Sequence, residues 1–123
     1  MPVMMEKVNL SEKLALFSDL WSPKVVGELN NHHVKLVKML GDFVWHQHEH
    51  EDELFLVLEG ALEIHFRDGV VRLTEGEILI VPKQVEHKPI AEEEAHVLLL
   101  EPASTLNTGN VRNDRTVEAP ERL

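Results

Sequence analysis

At 123 residues, with 43% hydrophobic side chains and no cysteine, the chain has the size of one domain that closes a core without disulfides or thiolate metal sites. A formal charge of −10 opposes phosphate backbones and anionic lipid, and no apolar run approaches the ~20 residues of a membrane span, so nucleic acid and membrane are not expected partners. A small molecule, a cation or a second copy of the chain remains, and an N-terminus without secretory order makes the cytoplasm the expected compartment.

Residues 1–22 read as an N-terminal arm. Ser11 is placed to cap a short amphipathic helix in which Leu14, Phe17 and Leu20 recur at near-helical spacing, and the Ser22-Pro23-Lys24 stretch stops it. A barrel is expected over residues 25–102. Its first hairpin joins KVVGEL to HHVKLVKML through Asn30 and Asn31, two residues that tolerate positive φ. Beyond Gly41, apolar stretches of strand length are divided by turn signals at EHED, EG, RDG, TEG, VPKQ and AEEE. This rhythm predicts an all-β barrel or sandwich rather than βαβ units.

ALEIHF alternates Leu62, Ile64 and Phe66 with Glu63, His65 and Arg67, which predicts one dry and one wet face, with His65 toward water. LFLVL at 54–58 and ILIV at 78–81 do not alternate, so both faces of those strands are expected to be covered. The arm, the tail or a second subunit could supply the outer cover, and on that ground a homodimer is expected. The tail, residues 103–123, is polar and is expected to extend over a neighbour or to fray.

The chemistry concentrates in FVWHQHEHEDELFLVLEG, residues 43–60. Side chains of a strand alternate faces, so His46 and His48 project together while Trp45 and Gln47 point away, Trp45 toward outer packing. After the EHED turn, Glu53 can face back to the pair, and His87, after VPKQVEH, is the histidine best suited to join them. Three nitrogens and one oxygen suit Zn, Fe(II), Mn, Co or Ni and leave octahedral positions open for water or substrate. Such a site needs neutral imidazoles, so acid is expected to strip the ion near the free histidine pKa of ~6.5. A site shifted to His48 and His50 is conceivable, but only two residues then separate His50 from Glu53. Asp52 has the wrong parity to replace Glu53, and His32, His33 and His96 read as exposed or strand-edge residues. Phe55 and Val57 share the parity of Glu53 and should line the cavity.

Gly41, four residues, His46-Gln47-His48, four residues, Glu53, six residues and Gly60 resemble the first motif of the cupin superfamily, with one residue fewer in the first gap. Gly76, five residues, Pro82-Lys83-Gln84, two residues and His87 resemble the second, with Gln84 where the family has Gly and Ala91 where it has Asn. The resemblance covers about residues 34–102 and is nearest to single-domain conserved-barrel cupins of the mannose-6-phosphate-isomerase-like kind. It implies a double-stranded β-helix (jelly-roll) barrel with His46, His48, Glu53 and His87 as ligands of one divalent metal ion. The expected function is a metal-dependent enzyme on a small oxygen-rich molecule, of dioxygenase, isomerase or decarboxylase type. The rival readings are a noncatalytic barrel holding metal and a small ligand, and a metal-free epimerase-like cupin. No catalytic acid or base can be assigned, Gln47, His50 and His96 being the candidates.

Overall fold

A computed structural model describes residues 5–123, so residues 1–4 of the predicted arm lie outside the described residues. The short helix is α1, Leu10–Leu14, and its cap is Asn9 rather than Ser11. Asn9 Oδ1 accepts from the backbone N–H of Glu12 at 3.0 Å, which satisfies one of the free donors of the first turn. Phe17 and Leu20 fall beyond the helix end, so their helical spacing is not used.

The strands are β1 Lys24–Leu29, β2 His32–Asp42, β3 Glu53–Glu59, β4 Ala61–Phe66, β5 Gly69–Thr74, β6 Ile78–Val81, β7 His87–Pro102 and β8 Glu121–Arg122. Hydrogen bonding runs in the order β5-β4-β7-β2-β1-β8, with β3 lying between β6 and β7. The result is a curled jelly-roll sheet whose edges do not close. β7 is its spine: it pairs with β2 along most of its length, with β4 near its start and with β3 toward its end. The AEEE turn expected inside it is absent. Met39 pairs with Ala95 and Gly41 with Ala91, so the three glutamates between the alanines have no equal count opposite and bulge into solvent. Ala91 and Ala95 stay in the core, which holds the strand on course through the charge run.

Inward-facing Val37, Met39, Phe55, Val57, Leu62, Ile64, Leu73, Val97 and Leu99 fill the interior. Burying a side chain of this kind contributes about 1.5–3 kcal/mol, and together they carry the fold. The expectation of a double-faced β3 is only half met, because its burial alternates, with Phe55 and Val57 inside and Leu54, Leu56 and Leu58 half-buried outside. Among the described residues neither arm nor tail covers the outer face of β6, where Ile78 and Ile80 are each 55% exposed. Trp45 faces out as expected, but it packs under the Arg67 guanidinium, 3.8 Å from the ring centroid.

The tail does not fray. The backbones of Gln47 and Asn110 are tied through the Asn110 amide N–H and side chain, at 3.0 and 2.9 Å, and β8 then pairs parallel to β1. Gly109 permits this approach: with φ of 57°, a Cβ there would lie 2.2 Å from the Gln47 carbonyl oxygen. No helix among the described residues is long and apolar enough to cross a membrane.

Candidate metal centre

His46 and His87 form an isolated antiparallel bridge: each backbone N–H donates to the other's carbonyl, at 3.0 and 2.9 Å. A bridged pair presents both side chains to one face of the sheet, and the imidazole centroids stand 4.4 Å apart. His48 follows two residues later on the same face, its ring 5.0 Å from that of His46. Glu53 opens β3 with its side chain inward, ahead of Phe55 and Val57. The turn that delivers His87 places Gln84 at φ 68°, a conformation favouring glycine, and its N–H donates to the His48 carbonyl at 2.7 Å. That bond ties the second motif to the first.

The structure therefore brings together all four residues read from the sequence, each 4% exposed or less. One ligand atom from each lies within 4.8 Å of the others. The Nδ1–H groups of His46 and His87 donate to the carbonyls of Val44 and Val85, at 2.8 and 2.9 Å, which leaves each Nε2 as a lone pair. Nε2 of His48 and of His87 stand 3.5 and 3.4 Å from Glu53 Oε1, without hydrogen-bond alignment, so these three buried atoms have no partner. Buried polar atoms are almost always satisfied. Orphaned nitrogens and a carboxylate oxygen converging on one point are what a divalent cation with borderline N/O preference would satisfy, so the donor set fits the metal that the resemblance implies.

Electrostatics keep His46 and Glu53 in the state a metal needs. Burial, with the neighbouring His87, pushes the His46 pKa down to about 4, so the ring is neutral at neutral pH. Burial would raise Glu53, but contacts with Glu101, His48 and His87 outweigh it and hold its carboxyl well below the usual range.

Glu101, on β7, was missed by the sequence reading. It is 1% exposed, faces Glu53 and accepts a 2.9 Å bond from the ammonium of Lys35, itself 1% exposed. Burial and the charge of Glu53 raise the Glu101 pKa well above normal against the pull of Lys35. The two shifts are opposed, so of these facing carboxyls Glu53, beside the imidazoles, is the one favoured to ionise. Alternation contained the signal, since Glu101 shares the parity of Val97 and Leu99, and Lys35 that of Val37 and Met39.

The other candidates lie outside the cluster. His50 sits in the exposed bend after His48, and His32 is exposed. His33 is half-buried rather than exposed, 3.7 Å from Glu28. His96 points outward to Glu59 and Glu94, and His65, partly exposed, pairs with Glu63. Asp52 accepts from the Lys83 N–H at 2.8 Å.

A model of the cupin domain (Cupin_2) matches residues 34–101. The chain belongs to the cupin family. It is 48% identical to a cupin-2 domain containing protein from Shewanella frigidimarina, with a TM-score of 0.76 over 77% of this chain and 93% of that one. A Neisseria meningitidis protein is 34% identical, with a TM-score of 0.74 over 80% of this chain and all of the other. The uncharacterized protein YdbB of Bacillus subtilis is 39% identical over 81 residues, 65% of this cupin and 66% of YdbB. The mannose-6-phosphate-isomerase-like subgroup has no support among these relatives.

Proposed function

We propose that this cupin holds one divalent ion through His46, His48, Glu53 and His87 and is a metal-dependent enzyme acting on a small molecule with oxygen donors. The observation that supports it is the buried, unpartnered donor set within 4.8 Å. Once bound, the ion supplies Lewis acidity or oxygen activation at positions the protein does not fill, which covers dioxygenation, isomerisation and decarboxylation. The chain contributes a neutral His46, His46 and His87 rings oriented by their Nδ1 bonds, an ionised Glu53 and apolar neighbours in Phe55 and Leu99. Elemental analysis of protein produced with each of Zn, Fe, Mn, Ni and Co tests it. One equivalent of an ion, with turnover that chelation abolishes, is expected; sub-stoichiometric metal would contradict it, and activity that survives chelation would favour a metal-free epimerase-like cupin.

A noncatalytic barrel holding metal and ligand is the second reading. It is favoured by one observation: Gln47, His50 and His96, the acid–base candidates, are all outside the cluster. Binding of a small ligand without turnover would select it.

We also infer a homodimer built on the outer face of β3 and β6, where Leu54 pairs with Ile80 and Leu56 with Ile78, in the cytoplasm as composition suggests. Sedimentation analysis of the wild type and of Ile80→Glu tests the dimer, with a shift to monomer expected in the variant.

A further inference from the structure

Against His46 and Glu53 lies a cavity of about 30 Å³, walled by Trp21, Val37, Met39, Phe43, Leu99 and Asn107. Among the described residues that line it, Asn107 is the only amide or charged side chain besides His46 and Glu53. The space admits about two water-sized groups.

Trp21 makes one wall, and the chain strains to put it there. Its φ is 59°, a left-handed value that is costly for a bulky residue. Two bonds hold it: its backbone N–H donates to the Lys38 carbonyl at 2.8 Å, and its indole N–H to the Leu40 carbonyl at 2.9 Å. The indole stacks on Phe43 with centroids 4.8 Å apart, and Phe43 meets the His46 ring edge-on at 5.3 Å. Arg115, from the tail, lies 5.8 Å from the indole centroid and 5.9 Å from that of Phe43. Arm and tail thus clamp one aromatic wall beside the donor set.

The geometry points to Trp21 as the residue that sets the size of the molecule accepted, and to a ligand with one chelating oxygen head and a short apolar body. This rests on the metal reading of the cluster. A polyhydroxylated body would leave hydroxyls unpaired among Val37, Met39 and Leu99, with Asn107 able to serve only one or two. Among the described residues that line the cavity there is no Lys or Arg to meet a phosphate, and the Arg115 guanidinium beside the aromatic wall donates to the Asp42 carbonyl.

The test uses full-length protein loaded with Co(II), its metal content measured first. Three hydroxamates share one chelating head and differ in body: aceto-, benzo- and gluconohydroxamate. Calorimetry and the visible Co(II) spectrum report binding without turnover. Wild type is expected to bind acetohydroxamate at least 10-fold more tightly than the other two. Trp21→Leu is expected to keep one equivalent of cobalt and to bind benzohydroxamate at least 10-fold better than wild type does. Trp21→Phe, which retains an aromatic ring against Phe43, supplies the test if the leucine variant does not fold, with a smaller gain in the same direction. Gluconohydroxamate binding as tightly as acetohydroxamate, or benzohydroxamate affinity no better than wild type in whichever variant folds, would overturn the inference while leaving the metal site standing. Failure of wild type to take up cobalt would overturn both.

Discussion

His46 and His87, 41 positions apart in sequence, exchange two backbone hydrogen bonds and stand with their rings 4.4 Å apart. The bridge is made by main-chain atoms, so removing either imidazole should spare the fold and empty the site. His46→Ala and His87→Ala are expected to lower metal affinity by more than about 100-fold, beyond what loss of an outer supporting group does. His50→Ala, in the exposed bend, should retain one equivalent. Equal loss in the His50 variant would show that the ion uses the shifted pair His48 and His50.

The pH dependence follows from His46, whose folded pKa is about 4 against 6.5 for the free side chain. As pH falls below 6.5 the unfolded chain takes up a proton that the folded one refuses. Stability of the metal-free protein is therefore full above pH 6.5 and falls between 6.5 and 4, by about 3 kcal/mol from this group at roughly 1.4 kcal/mol per unit. Urea midpoints of the apoprotein from pH 7 to 4 check this. Insofar as His46 governs release of the ion, the loss expected near pH 6.5 from sequence moves to lower pH.

Gln84 occupies a left-handed conformation with φ 68° in the turn that presents His87. Gln84→Gly removes the Cβ clash at that φ and keeps the backbone N–H bond to His48. The variant should gain about 1 kcal/mol, seen as roughly 4 °C in Tm, with metal content unchanged.

The Lys35 ammonium donates to Glu101 at 2.9 Å, and both side chains are fully buried beside Glu53. Lys35→Met leaves two buried carboxyl groups without their cation and should destabilise by about 3–5 kcal/mol. The double variant Lys35→Met with Glu101→Leu removes the charge with its partner and should be more stable than the single one. Denaturation of the wild type, both single variants and the double variant measures the coupling; strict additivity of the two single losses would contradict it.

The expected strand around His46 and His48 is only an isolated bridge at His46, between β2 and β3, but the motif histidines were legible because extended backbone still alternates its side chains and puts both on one side. The hairpin at Asn30 was equally local, Asn30 adopting φ 54° as such a turn requires. What escaped depends on distant partners. Glu92–Glu94 resembles a turn until Ala91 and Ala95 are seen to anchor β7 in the core on either side. Glu101 ends an apolar run and reads as a surface acid unless Lys35, 66 positions away, is known to face it. The tail's polarity suggested fraying, yet Gly109 and Asn110 spend that polarity on the Gln47 backbone over the site.

Convergence of four side chains on one cation is tested most directly by X-ray absorption at the zinc edge of protein loaded with Zn(II). Three imidazole nitrogens and one carboxylate oxygen around a single tightly held ion are predicted. An ion with fewer than two imidazoles, or one still bound with unchanged scattering in His87→Ala, would contradict the account.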